Sequence, residues 1–150
     1  MRHAVAIIAL SFLAACSGET ADTTKTASAE PASSSAGQED AKVIAVLMYA
    51  DWCGSCKVLD PKIQSVRNMN AIDGIEFTRL DYTARDAEVL FLQADAAGIG
   101  NTVRSRFADE VKTGLLLLVD ADSGEILSEI NKSMTEVDII AVMTAAVEKV

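Results

Sequence analysis

The chain has 150 residues, of which half are hydrophobic, 23% are charged and 5% are aromatic. This composition suits one compact domain with short appendages and excludes two full domains. Its formal net charge of −9 has the wrong sign for a nucleic-acid partner. The only histidine is His3, so the folded part has no His-based zinc site, Ser-His-Asp triad or Cys-His pair.

Residues 1–15 have the pattern of a secretory signal peptide. Arg2 and His3 precede an apolar run that Ser11 alone interrupts, which is the order of a charged region, an apolar region and a cleavage site. The run is shorter than the roughly 20 apolar residues that a membrane-spanning helix needs. We therefore predict that this segment is removed after export.

The run Leu13-Ala14-Ala15-Cys16 resembles the bacterial lipobox. The resemblance implies diacylation of the Cys16 thiol and cleavage before it, and acyl chains contribute about 0.8 kcal/mol of membrane attachment per buried CH₂. Ser17 resembles the outer-membrane sorting pattern of enteric bacteria. We predict a lipid anchor in the bacterial cell envelope, with the protein facing the periplasm; ordinary cleavage beside an unrelated cysteine is the alternative.

Residues 16–41 are predicted to be the lipidated cysteine and a flexible polar linker. Small, hydroxyl and acidic residues dominate and large apolar side chains are missing after Cys16, so this stretch cannot build a core. A flexible linker of roughly 25 residues has an r.m.s. span of about 25–30 Å. We expect the folded domain to occupy residues 42–150.

The first half of the domain is predicted to contain a strand, a helix, a strand and a helix, over residues 43–49, 53–70, 75–80 and 84–97. The first strand is a continuous apolar run, typical of a strand buried on both faces. The second helix has an apolar face formed by Val89, Leu92 and Ala96 and ends at the following glycines.

The second half is predicted to contain a short helix or loop, two strands joined by a turn, and a last helix. The short helix or loop occupies residues 101–109, and the two strands occupy residues 115–119 and 125–130. Ser133 and Glu136 predict a capping box, and the core face of the last helix is expected to carry Val137, Ile140, Met143 and Val147. The resulting order is βαβαββα.

Cys53 and Cys56 are the only thiols left once Cys16 is lipidated. They open the first helix, where unpaired N–H groups and about half a positive charge can lower the pKa of a thiol from about 8.5 to 7 or lower. Cys53 is therefore the expected nucleophile. Residues three apart on a helix have Cβ atoms roughly 5–6 Å apart, so small adjustments allow a disulfide and Cys56 can resolve a mixed disulfide.

The sequence Trp52-Cys53-Gly54-Ser55-Cys56-Lys57, the following Pro61 and the βαβαββα order resemble the thioredoxin superfamily. Residues 49–53 are especially similar to the C-terminal periplasmic domain of a bacterial transmembrane disulfide reductase. The resemblance implies a minimal thioredoxin-like α/β fold with a central mixed sheet flanked by helices. It also implies that Trp52 flanks the reactive sulfur, that Gly54 lets a substrate chain approach, and that Pro61 kinks the helix.

The sequence departs from the thioredoxin pattern at three places. The only prolines are Pro31 and Pro61, so the family's cis-proline is missing, and Thr113 or Gly114 takes its place depending on register. Leu47 stands where thioredoxins carry a buried aspartate. Ser55 replaces a proline between the cysteines, and we regard Lys57 and Arg79 as the nearest candidate cations. The strongly reducing potential of thioredoxin therefore cannot be transferred to this chain.

We predict an extracytoplasmic thiol–disulfide oxidoreductase that exchanges disulfides with protein thiols and disulfides and needs no cofactor. A reductase in the oxidising periplasm would need an electron donor such as a transmembrane disulfide reductase. The main alternative is a copper(I)-binding or redox-gated docking lipoprotein without turnover, because copper(I) accepts two thiolates. Met48 and Met69 are candidate ligands in that case, but we expect both in the core. A structural disulfide and a zinc site are weaker alternatives.

Overall fold

The computed structural model describes residues 41–70 and 72–150. The predicted signal peptide, Cys16, Ser17 and the linker up to residue 40 lie outside the described residues. Among those described, no helix is both long enough and apolar enough to cross a membrane.

The described residues form four strands and four helices. In chain order these are β1 (Val43–Tyr49), α1 (Gly54–Asn68), β2 (Ile75–Asp81), α2 (Ala87–Ala96), α3 (Gly100–Arg106), β3 (Leu115–Asp120), β4 (Ile126–Asn131) and α4 (Glu136–Val147). The segment predicted as a short helix or a loop contains α3. The other elements follow the predicted order, with bounds that differ by a few residues.

The four strands form one mixed sheet in the order β2-β1-β3-β4. β1 pairs with β2 in parallel and with β3 antiparallel, and β3 pairs antiparallel with β4. The helix α1 connects the two parallel strands, as a parallel pair requires. The predicted α/β architecture with a thioredoxin-like mixed sheet between helices is confirmed.

Alternate residues of β1 face opposite layers of helices, because side chains alternate along a strand. Val43, Ala45 and Leu47 pack with the buried residues of α1 and α4. Val46 and Met48 pack with those of α2 and α3. Both faces of β1 are therefore buried, as its continuous apolar run predicts, and its C-terminal end is held rigidly between the layers.

The apolar face predicted for α2 is wrong. The helix begins at Ala87, and the Asp86 carboxylate caps it by accepting hydrogen bonds from two backbone N–H groups. Leu90 and Ala94, spaced four residues apart, are the buried positions, whereas Val89, Leu92 and Ala96 are exposed. The helix is apolar on more than one side, so its periodicity could not identify the face that contacts the sheet.

The predicted capping box of α4 is also wrong. Thr135 and Asp138 form the box, with the Asp138 backbone N–H donating to Thr135 Oγ1 and the Thr135 backbone N–H donating to the Asp138 carboxylate. Ser133 instead donates to Asn131 in the preceding turn. The true cap lies two residues later than the predicted one.

The core face of α4 is rotated from the predicted face. Ile139, Met143 and Ala146 are buried, and Met143 is the one predicted position that is fully buried. Val137 is 75% exposed, which contradicts its predicted place in the core. The other two predicted positions pack against the core while only partly buried.

Candidate active site

The N-terminus of α1 carries the two cysteines, joined by a disulfide with a Cα–Cα distance of 5.3 Å. Cys53 is the N-cap in an extended conformation, and its Sγ accepts a hydrogen bond from the Cys56 backbone N–H at 3.1 Å. The first turn of α1 contains no acidic residue. The helix dipole and this N–H therefore favour negative charge on the Cys53 sulfur when the pair is reduced.

The two cysteines differ in how far they reach the surface. Cys53 is 7% exposed, whereas Cys56 is 0% exposed. The Cys56 Sγ lies 3.6 Å from the carbonyl oxygen of Met48 at the end of β1. Cys53 is therefore the cysteine nearer to solvent, and a client sulfur is expected to react with it rather than with Cys56.

Gly114 lies directly against the disulfide, just before β3. Its φ of +82° favours glycine, and a Cβ built there would be 3.1 Å from Cys53 Sγ and 2.5 Å from Ser55 Cβ. The Gly114 N–H donates to the Met48 carbonyl at 2.8 Å. Gly114 rather than the half-buried Thr113 thus occupies the position against the sulfurs, and the described residues contain no cis peptide bond.

Trp52 is 43% exposed and is held by a turn between β2 and α2, residues 82–85. Its indole N–H donates to the Thr83 carbonyl at 3.0 Å, and the Asp51 backbone N–H donates to Thr83 Oγ1 at 3.1 Å. The Arg85 guanidinium lies over the indole ring, 4.3 Å from its centroid. Sequence reasoning missed this turn, because its residues match no motif and lie about 30 residues from Trp52 along the sequence.

Asp81 at the end of β2 helps to shape the same turn. Its carboxylate accepts a hydrogen bond from the Thr83 N–H at 2.7 Å and pairs with Arg79 at 3.5 Å. Partial burial acts to raise the pKa of Asp81, but the hydrogen bonds from Thr83 and the charge of Arg79 outweigh it and lower that pKa. The carboxylate therefore stays ionised at neutral pH and fixes the start of the turn.

The two candidate cations occupy different environments. Lys57 is exposed in the first turn of α1. The Arg79 guanidinium stacks on Tyr49, 3.4 Å from the ring centroid, and Tyr49 packs against the two cysteines. Leu47, at the position of the missing aspartate, pairs in register with Arg79 and is buried in the core. An apolar side chain thus fills the place of a proton acceptor.

The remaining residues between and after the cysteines lie on α1. Gly54 has no heavy atom within 4 Å of a Cβ built on it, so this position is open. Ser55 is half-buried beneath Gly114, and Pro61 lies inside the helix.

The candidate metal ligands do not converge on the cysteines. No group of three or more His, Cys, Asp or Glu side chains within the described ranges could hold a metal ion. The Met48 side chain is buried in the layer of α2 and α3. Met69 is exposed at the far end of α1, so its predicted place in the core is wrong. Neither methionine supplies a thioether beside the two sulfurs.

Comparison with known families agrees with this geometry. The Thioredoxin family model matches residues 27–95. The match spans the disulfide and the turn that contacts Trp52. Together with the mixed sheet and the Cys53–Cys56 pair at disulfide distance, it supports thioredoxin-type thiol–disulfide oxidoreductase activity.

Several solved structures resemble the thioredoxin-like domain at low sequence identity. StoA from Bacillus subtilis is 14% identical, with a TM-score of 0.49 over 71% of this chain and 85% of that one. A variant thioredoxin from Halobacterium salinarum is 20% identical, with a TM-score of 0.45 over 71% of this chain and 76% of that one. Trxlp from Edwardsiella tarda is 16% identical, with a TM-score of 0.45 over 69% and 82% of the two chains. No curated protein sequence matches the chain.

Proposed function

We propose that this chain is an extracytoplasmic thiol–disulfide oxidoreductase that exchanges disulfides with protein partners. The observation that carries the proposal is the Cys53–Cys56 disulfide at the N-terminus of α1, in which Cys53 is slightly exposed and Cys56 is fully buried. A disulfide across a single helical turn closes a very short loop and gives little stabilisation by chain entropy. Reversible chemistry explains the pair better than a structural role does.

In the reducing direction, the Cys53 thiolate attacks one sulfur of a client disulfide. The client S–S bond breaks, a Cys53–client disulfide forms, and the first client sulfur leaves as a thiolate that takes a proton from water. Cys56 then loses its proton and attacks the Cys53 sulfur, which releases the second client thiolate. The client gains two electrons and the Cys53–Cys56 disulfide re-forms; the oxidising direction is the reverse.

We propose that this chemistry takes place outside the cytoplasm, because residues 1–16 have the pattern of a lipoprotein signal peptide. In the oxidising periplasm, a reductase of this kind needs a donor of two electrons, and we propose a transmembrane disulfide reductase for that role. The lipobox at Leu13–Cys16 supports attachment of the domain to a membrane surface through lipidated Cys16, and Ser17 favours the outer membrane. The acidic composition favours partners with basic docking surfaces.

The activity is tested by the reduction of insulin with dithiothreitol as the electron source. The purified protein should raise the initial rate at least about tenfold over dithiothreitol alone, because a helix N-terminus increases the thiolate fraction at pH 7. The Cys53→Ser variant should match dithiothreitol alone. Equal rates for the wild-type protein and Cys53→Ser would contradict the proposed function.

The lipid anchor is tested separately, by metabolic labelling of the full chain with an alkyne analogue of palmitate in a bacterial host. The wild-type protein should carry the label and sediment with membranes, whereas Cys16→Ser should lose the label because the acylated sulfur is missing. Cys56→Ser is the matched control, since it removes a different thiol and should keep the label. Labelling of Cys16→Ser at the wild-type level would exclude Cys16 as the modified residue.

A further inference from the structure

The turn between β2 and α2 places an arginine on the ring of Trp52, the residue before Cys53. We propose that Arg85 recognises a carboxylate on the client, so that the protein prefers clients with an acidic residue close to the reactive cysteine. This inference rests on the proposed function and adds a specificity-determining residue to it.

Arg85 is fixed in position relative to Cys53 by contacts through Trp52. Its guanidinium lies over the Trp52 ring, 4.3 Å from the centroid, and Tyr82 contacts the same ring at 6.4 Å. The Arg85 backbone N–H donates to the Tyr82 carbonyl at 3.0 Å. Thr83 accepts hydrogen bonds from the Asp51 backbone N–H and from the Trp52 indole N–H. The guanidinium is therefore held against Trp52, one residue before Cys53.

The backbone of Arg85 adopts a conformation that is costly for arginine. Its φ of +57° lies in the left-handed region, which is strained for a residue with a Cβ and which glycine adopts freely. A backbone outlier of this kind is a reason to look for a function of the side chain. Here the left-handed residue places its guanidinium on the exposed aromatic ring beside the nucleophile.

The guanidinium of Arg85 remains available to a partner. The ion pairs between described residues use Arg79, Arg104 and Arg106, and none of them includes Arg85. The neighbouring Asp86 carboxylate is occupied with capping α2. Arginine has five N–H donors in a planar fork, so a stacked guanidinium can still bind a carboxylate in a bidentate manner.

The other charges on the segments near the disulfide are mixed in sign. Lys57 on α1 and Lys112 before Gly114 are exposed, and so are carboxylates on the same segments and beside Arg85, among them Asp51 and Asp86. The proposed preference for an acidic client residue therefore depends on the guanidinium of Arg85 itself, and not on a general excess of positive charge.

The inference is tested with peptide disulfides that carry Glu, Gln or Lys two residues from the cysteine, and the readout is kcat/KM for their reduction. For the wild-type protein at low salt, kcat/KM should be about fivefold higher for the Glu peptide than for the Gln peptide, and the difference should lie in KM. This preference should shrink at 1 M salt, where the Debye length is about 3 Å. Arg85→Gln should bring the Glu-to-Gln ratio to about one.

Two further variants separate recognition from structure. Arg85→Gly suits the left-handed turn, so it should fold well and still lose the preference for Glu. Arg67→Gln is the matched control, because Arg67 also stacks on an aromatic ring, Phe77, and lies in the last turn of α1 away from the disulfide; it should keep the wild-type ratio.

A Glu-to-Gln ratio of kcat/KM near one for the wild-type protein would overturn the proposed role of Arg85, as would a ratio that Arg85→Gln and Arg85→Gly leave unchanged. Either result would leave the oxidoreductase activity in place. Failure of the wild-type protein to reduce any of the three peptides would instead contradict the proposed function, and this inference with it.

Discussion

The Cys56→Ser variant is expected to accumulate a mixed disulfide with a client protein through Cys53, whereas Cys53→Ser should form such an adduct at least about 15-fold more slowly. An ordinary thiol with a pKa near 8.5 is only about 3% ionised at pH 7, whereas a thiol whose pKa a helix N-terminus lowers to about 7 or below is at least about half ionised. Cys53 has that position and is the more accessible sulfur, while Cys56 is fully buried against the Met48 carbonyl. Without Cys56, nothing in the pair displaces the bound client.

Intact mass spectrometry of each reduced variant after mixing with native, disulfide-bonded insulin measures this asymmetry. Cys56→Ser should gain the mass of one insulin molecule within minutes, because the second interchain disulfide still joins the two insulin chains, and dithiothreitol should remove it. The Cys53→Ser,Cys56→Ser double variant controls for adducts elsewhere on the protein. If Cys53→Ser formed the adduct as fast as Cys56→Ser, the assigned order of attack and resolution would be reversed.

The sheet could be predicted from the sequence because its signal is local. Val43–Tyr49 is a continuous apolar run, and the structure gives β1 those bounds. The helix faces could not be predicted in the same way. In α2 the apolar residues surround much of the helix, so burial of Leu90 and exposure of Leu92 depend on the sheet it packs against. At the start of α4, two capping-box patterns overlap within residues 133–138, and the structure forms the later one.

In the active site, too, the features that depend on neighbouring residues could be predicted, whereas those that depend on contacts between distant segments could not. Two cysteines three residues apart after a buried strand already predict a disulfide at a helix N-terminus. The sequence could not decide between Thr113 and Gly114, because a shift of one residue in the register of β3 would change which of them lies against the sulfurs. The contact of Arg85 with Trp52 was missed altogether, since it depends on the parallel pairing of β1 and β2, which brings the segments after both strands to the same edge of the sheet.

Gly114→Ala is expected to destabilise the oxidised protein by about 2–5 kcal/mol and to lower its Tm by roughly 10–20 °C. A residue with a Cβ at a φ of +82° costs about 1–2 kcal/mol. The added methyl would also lie 2.5 Å from Ser55 Cβ and 3.1 Å from Cys53 Sγ, and overpacking of this kind costs about 1–3 kcal/mol more. Thermal unfolding of the oxidised protein measures the sum.

Two glycines of the same chain separate the causes of this loss. Gly98 has a φ of +74° with no atom within 4 Å of an added Cβ, so Gly98→Ala should cost the backbone strain alone, roughly 4–8 °C in Tm. Gly54 is open and outside the left-handed region, so Gly54→Ala should leave Tm nearly unchanged. If Gly114→Ala cost no more than Gly98→Ala, the close packing of Gly114 on the disulfide would contribute nothing. A larger loss, with slower insulin reduction at temperatures where the variant is folded, would show that the missing side chain at residue 114 is what gives the sulfurs room to react.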